Sequence, residues 1–203
     1  MYKQDSLPFL YSALEPYIDT HTMGLHYNKH QKNYLKNLNR LLVKNNYNFS
    51  YKIEELCKHI EICKPEDRVD ILFNLGGVVN HNLYWKCIDK KDREDPKGLL
   101  LEKIITKFES LDQFKEKFIQ YALSLKGSGY TFLIQKQDGS IDIINTKDQD
   151  SPLLYNYIPL FNVDMWEHAY YLNYKNNKKE YLDNFFDIAN FKYANEKIEE
   201  KTY

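Results

Sequence analysis

Asp164 and His168 stand four residues apart in the segment Asp164-Met165-Trp166-Glu167-His168-Ala169-Tyr170-Tyr171, beside a second carboxylate and three aromatic residues. A carboxylate and an imidazole at this spacing can chelate one ion in two ways. They can be i,i+4 neighbours on a helix, or Asp164 can end a strand with His168 in the next helical turn. His26 and His81 are the upstream imidazoles available to complete a site. Three imidazoles and one carboxylate form a mixed nitrogen and oxygen donor set, which suits iron, manganese or zinc better than a thiolate-preferring metal. Glu167 adjoins His168 and so points elsewhere on a helix, towards some other contact.

His26, His30 and Tyr34 follow one another at four-residue intervals. On a helix they share one side and can present a ligand, an imidazole and a phenol to a common cavity. The plain alternative is solvated or core histidines. His81 closes Asn74-Leu75-Gly76-Gly77-Val78-Val79-Asn80-His81. Each glycine inside a helix costs about 1 kcal/mol relative to alanine. Either the helix breaks at Gly76, or another backbone or a bulky group approaches there. The apolar pattern resumes at Leu83, Tyr84 and Trp85, which favours continuity.

These positions need long helices to hold them. Apolar residues Met23, Leu25, Tyr27, Tyr34, Leu35, Leu38, Leu41 and Leu42 recur at mixed three- and four-residue spacing and predict one helix from Thr20 to Val43, with Asp19 or Thr20 as its cap. A short helical stretch, Ile53 to Cys63, precedes Pro65. A second long helix runs from Pro65 to Ile88, opening on Pro-Glu-Asp as helix starts favour. The two long helices make an αα-hairpin. The charged run Lys90 to Gly98 contains Pro and Gly and divides the chain into residues 1–89, a helical-hairpin domain, and residues 90–203, a mixed α/β domain. There, helices over Leu99–Phe108 and Leu111–Leu125 precede β-prone runs Tyr130–Gln135 and Ile141–Asn145. Asp138-Gly139 joins those runs as a hairpin turn. Helical patterns over Lys179–Ala189 and to the C-terminus finish the chain. The fold class is α+β, with a small antiparallel sheet in the second domain.

Among 203 residues, 43% are hydrophobic and 28% charged, and the formal net charge is −1. That balance gives ample material for a core and no overall basic field for nucleic acid or an anionic membrane. No apolar run nears the roughly 20 residues of a membrane-spanning helix, and the first residues lack an apolar signal core. Three cysteines, Cys57, Cys63 and Cys87, are odd in number and widely spaced. The expectation is reduced thiols in a cytoplasmic protein.

Together the residues resemble the iron/manganese superoxide dismutases, over nearly the whole chain. The likeness rests on Leu7-Pro8, Leu14-Glu15-Pro16, Thr22-Met23 before His26, Lys29-His30, Tyr34, Asn80-His81, Trp85, Gly127-Ser128-Gly129, Gln149-Asp150-Ser151-Pro152 and the whole of 164–171. The resemblance implies that His26, His81, Asp164 and His168 are the metal ligands, with solvent as a fifth. It implies that Gln149 hydrogen-bonds that solvent, as in manganese-type members, and tunes the metal's potential. Tyr34 and His30 would stand at the substrate channel, and Trp166 would wall the cavity. Glu167 would bridge to a ligand histidine of a second subunit and Tyr171 would reach that subunit's His30, in a homodimer or a tetramer. The implied reaction is disproportionation of superoxide to dioxygen and hydrogen peroxide on one manganese per subunit, or on iron, or on either. Lys29 and Lys178 are candidates for steering the anion.

The sequence also departs from the pattern. Gly77 with Gln149 follows the manganese type, because iron-type members supply the glutamine from the position of Gly77. Tyr84, Thr131 and the loop through Pro159–Val163 look more iron-like, and Asn162-Val163 replaces glycine followed by leucine or isoleucine. Tyr130 and Phe132 stand where two tryptophans are usual, which puts a phenol in the site. Two other readings compete. A non-haem iron oxygenase with a two-histidine, one-carboxylate triad is opposed by the third histidine and Gln149. A catalytically inactive relative serving as a metal-binding or structural protein is opposed by retention of all four ligands, Tyr34 and Gln149.

Overall fold

The computed structural model describes residues 1–200. The first long helix is three segments wound end to end: α1 (Thr20–Leu25), a π-helical stretch (His26–Gln31) and α2 (Lys32–Lys44). Asp19 caps it, its side chain accepting the Thr22 N–H at 2.6 Å. The expected uninterrupted α-helix is therefore corrected at residues 26–31. A π stretch takes more residues per turn and is frequent at functional sites. Here it falls on His26 and His30. Leu35, Leu38, Leu41 and Leu42 form the buried stripe of α2.

The connection holds the single turn α3 (Ile53–Leu56) and two 3₁₀ turns, Ile60–Ile62 and Pro65–Asp67, in place of one helix over 53–63. The second long helix, α4 (Arg68–Lys86), passes through Gly76 and Gly77 without a break. It packs against α2, and Ile71, Leu75, Val78 and Val79 meet the leucine stripe in one apolar cluster. The hairpin is thus held by apolar burial along two facing helices.

Next come α5 (Gly98–Phe108) and α6 (Leu111–Ser124), the latter capped by Ser110, whose side chain accepts the Gln113 N–H. Three strands follow, β1 (Gly129–Gln135), β2 (Ile141–Lys147) and β3 (Ile158–Asp164), in the order β2-β1-β3 with both pairings antiparallel. The β1–β2 turn carries Gly139 at φ +79°, and its N–H reaches the Lys136 carbonyl at 3.0 Å. Positive φ is free of steric cost for glycine, as the Asp-Gly pair predicts. Central strand β1 is buried along its whole length.

The chain ends in α7 (Glu167–Tyr174), α8 (Lys178–Asp187) and α9 (Lys192–Glu199). These helices and α5, α6 enclose the sheet in a core rich in phenylalanine, including Phe114, Phe118, Phe132, Phe161, Phe185 and Phe191. The architecture is α+β, an α-hairpin followed by an α/β part built on a three-stranded antiparallel sheet. Among the described residues no helix is long and apolar enough to cross a membrane.

Candidate metal centre

Four elements meet at one point between the hairpin and the sheet. His26 begins the π stretch, His81 lies on α4, Asp164 ends β3 and His168 lies in the first turn of α7. Of the two geometries open for Asp164 and His168, the fold adopts strand end followed by helix. One nitrogen or oxygen atom from each of the four residues falls within 4.8 Å of the others. Asp164 Oδ2 lies 3.2 Å from His26 Nε2, 3.7 Å from His81 Nε2 and 3.4 Å from His168 Nε2. His26, His81 and Asp164 are buried and His168 nearly so.

Neighbouring groups set the ligand atoms. Asp164 Oδ1 accepts the Trp166 N–H at 2.8 Å, which leaves Oδ2 facing the centre. His81 Nδ1 donates to the Gly77 carbonyl, since a carbonyl can only accept. That bond places the ring proton on Nδ1 and a free lone pair on Nε2, the arrangement a ligating histidine needs. Tyr130 Oη also lies 3.3 Å from His81 Nδ1. A further imidazole, His30, stacks on His168 at 4.1 Å between ring centroids, and Trp166 also stacks on His168, at 5.6 Å. Gln149 Nε2 donates to Tyr34 Oη at 3.1 Å.

The electrostatics suit a cation. Burial lowers the pKa of His26 to about 4 despite its hydrogen bond to Asp164, and it holds His81 well below the usual histidine range. Both imidazoles are therefore neutral at pH 7. Burial alone would raise Asp164, but its interactions with His168 and His26, hydrogen bonds among them, outweigh it and hold the carboxyl well below the usual carboxylate range. With His26 and His81 neutral, the ionised Asp164 carboxylate is buried beside two uncharged rings, a costly arrangement unless a cation joins it. His81 Nε2 and His168 Nε2 are buried with no hydrogen-bond partner. Two unpartnered ring nitrogens and a buried carboxylate are what a metal ion would satisfy.

The surrounding cavity is polar on one side. Burial raises the Tyr34 pKa to about 12, more than the Gln149 amide lowers it, so Tyr34 keeps its proton at neutral pH. Tyr130 is fully buried and its phenol is pushed well above the ordinary range by the same cause. The two glycines on α4 are explained by close approach. A Cβ on Gly76 would sit 1.8 Å from the Gln149 carbonyl oxygen, and one on Gly77 would sit 2.5 Å from the Tyr34 ring. Backbone contact at one glycine and a bulky ring at the other are the two compensations the sequence called for.

Around the four clustered residues, His30 and Trp166 stack on His168, Tyr34 and Tyr130 stand beside His81, and Gln149 bonds to Tyr34. Glu167 and Tyr171 are exposed on α7 and face away from the centre. Sequence reasoning did not assign roles to three buried amides. Asn80 Nδ2 donates to the carbonyls of Gln149 at 3.2 Å and Asp150 at 3.1 Å. Asn162 Nδ2 donates to the Asn80 carbonyl at 3.0 Å. Gln31 Oε1 accepts from the Trp85 indole at 2.9 Å and from Gln4 at 3.0 Å. The only signal for Asn80 was its place beside His81, and for Gln31 there was none, because its partners lie far away in sequence.

Three imidazoles and one carboxylate, lodged between an α-hairpin and a small antiparallel sheet, define a protein with a buried metal site, the one such cluster among the described residues. Residues 1–89 match the alpha-hairpin domain of the iron/manganese superoxide dismutases and residues 96–197 match their C-terminal domain. The manganese superoxide dismutase of Buchnera aphidicola subsp. Baizongia pistaciae is 38% identical over 197 residues, covering 94% of this chain and 93% of its own. Those of Thermus thermophilus and Listeria monocytogenes are 34% and 35% identical, with 96% and 98% of both chains covered. The chain belongs to the iron/manganese superoxide dismutase family and is a metal-dependent enzyme that disproportionates superoxide.

Proposed function

We propose that this dismutase works with one manganese ion per subunit, held by His26, His81, Asp164 and His168. When bound, the metal supplies one-electron transfer to and from superoxide. The chain's own residues do the rest. The imidazoles of His26, His81 and His168 and an ionised Asp164 would offer the ion three nitrogen donors and one negative charge, a set suited to manganese or iron. Tyr34 retains its phenol proton at neutral pH, with Gln149 Nε2 fixing its oxygen at 3.1 Å, so Tyr34 Oη is the group able to hand a proton towards the superoxide that is reduced to hydrogen peroxide. His30, stacked on His168, and Trp166 confine the approach and limit water. Tyr130 borders His81 where an indole is usual and adds a hydroxyl to the wall.

The observation that carries manganese over iron is the packing at Gly77. The Tyr34 ring fills the space where any side chain at 77 would begin, so the site's amide comes from Gln149, the manganese pattern. The relatives quoted above are manganese enzymes by name, which supports the same reading. Reconstitution of metal-free protein with manganese and with iron separately, followed by metal analysis and a superoxide-consumption assay on each sample, tests it. Activity confined to the manganese form is expected; activity confined to the iron form would overturn the assignment.

The enzyme acts as a homodimer. Glu167 and Tyr171, with Leu172, form an exposed and partly apolar face on α7, with Tyr171 and Leu172 each 45% exposed. Such a face supports pairing with a second copy through Glu167 and Tyr171. The chain divides near residue 90 into its hairpin and α/β domains, and the free buried thiols Cys57, Cys63 and Cys87 accord with the reducing cytoplasm.

A further inference from the structure

A cleft of about 570 Å³ opens away from the metal cluster, where α3 and α4 of the hairpin face the β1–β2 turn, the loop after Asp150 and α9. Its volume falls in the range of small-molecule sites, roughly 300–1,000 Å³. Five lysines line it, against two glutamates. Lys136 is paired with Asp142 and Lys197 with Glu200. Among the described residues Lys52, Lys58 and Lys86 have no carboxylate within ion-pair distance. Of the glutamates, Glu55 Oε2 is occupied by the Lys52 backbone N–H at 3.1 Å, and Glu54 remains on the rim. In a protein of net charge −1, this is a local concentration of unpaired ammonium groups.

The floor of the cleft carries an independent signal. Ser151 is 1% exposed and lines the cleft, and its Oγ has no hydrogen-bond partner among the described residues. Buried hydroxyls are normally satisfied, so a free one at a cavity wall awaits a partner from outside the chain. Asn80 adjoins it on the same floor. The remaining wall is apolar and aromatic, with Leu83, Tyr157 and Tyr193, and Lys86 Nζ rests 4.7 Å from the centre of the Tyr193 ring.

We propose that this cleft binds a small organic phosphate of nucleotide size, its phosphate on Lys58 and Lys86 with Ser151 Oγ as donor and its uncharged body against the Tyr157 and Leu83 wall. Ammonium groups on flexible stems bind phosphate as point charges. The apolar wall gives the rest of the ligand area to bury, which a free inorganic anion cannot use. The floor also touches the metal centre indirectly. Asn80 holds the carbonyl of Gln149, so an occupied cleft stiffens the segment that carries Gln149.

Calorimetric titration of the metal-loaded enzyme with ADP, adenosine and inorganic phosphate in parallel tests the proposal. ADP should bind, and Lys58→Gln with Lys86→Gln should weaken it at least about tenfold, while dismutase activity stays at the wild-type level. Ser151→Ala removes an unpaired hydroxyl, so it should leave the melting temperature unchanged or raised and still weaken ADP. Absence of ADP binding at millimolar concentration would overturn the proposal. So would binding unaffected by these variants, or inorganic phosphate or adenosine binding as tightly as ADP.

Discussion

Gly76→Ala sets helix propensity against tertiary packing, and the packing should win. In a free helix the change would stabilise by about 1 kcal/mol. Here the new Cβ would lie 1.8 Å from the Gln149 carbonyl oxygen and 3.0 Å from its carbon. Ordinary contact requires that carbonyl to retreat by roughly 1.5 Å. It is backbone, and Asn80 Nδ2 holds it at 3.2 Å, so no side-chain rotation relieves the clash. Overpacking of this kind costs about 1–3 kcal/mol, and the strained Asn80 hydrogen bond about 1 kcal/mol more. Net destabilisation of about 2 kcal/mol follows, a fall in melting temperature of roughly 4–8 °C for a chain of this size. Moving Gln149 by that distance also displaces its hydrogen bond to Tyr34, and a misplacement near 1 Å can cost about a hundredfold in rate. Gly24→Ala is the internal control, because a Cβ there meets nothing within 4 Å. It should raise the melting temperature by roughly 2–4 °C. Thermal scans, metal content and superoxide consumption on wild type and both variants decide the matter. If Gly76→Ala stabilised the enzyme as much as Gly24→Ala does, with full activity, the close-approach argument would be refuted.

His81→Ala removes a buried lone pair and should abolish activity with a large loss of bound metal on elemental analysis; full occupancy with activity would sink the ligand assignment. Acid should destabilise the metal-free protein between pH 6.5 and about 4. In that window the unfolded chain protonates His26 while the folded protein keeps it neutral, and His81 acts in the same direction. Each group lowers stability by up to about 1.4 kcal/mol per pH unit, readable as a falling urea midpoint, and a flat midpoint across the window would contradict neutral buried imidazoles. Glu167→Ala should raise the dimer dissociation constant in analytical ultracentrifugation while the circular dichroism spectrum stays unchanged. An unaltered constant would remove Glu167 from the interface.

The α-hairpin, the β1–β2 turn and the identities of the clustered residues were legible in the sequence. Each is written in local periodicity, turn chemistry or motif spacing. Apolar residues at three- and four-residue intervals gave the long helices, and Asp138-Gly139 gave the turn. The helix through His26 was read correctly as an element but not in its winding, because a π stretch leaves the apolar period nearly intact. Likewise, the run from 53 to 63 read as one short helix and folds as separate turns.

Sequence alone determined which donor atoms are available, namely three imidazoles and one carboxylate, and which family the chain resembles. Tertiary structure decided how they are used. Asp164 ends a strand because β3 pairs with β1, and that pairing sets Oδ2 within 3.7 Å of all three histidines. The protonated nitrogen of His81 is chosen by the Gly77 carbonyl, and the place of Gln149 is held by Asn80, 69 residues away in sequence. Apart from the His81–Gly77 bond, which lies within α4, these contacts join segments from different parts of the chain. Their distances and protonation states exist only once burial has removed water from between them.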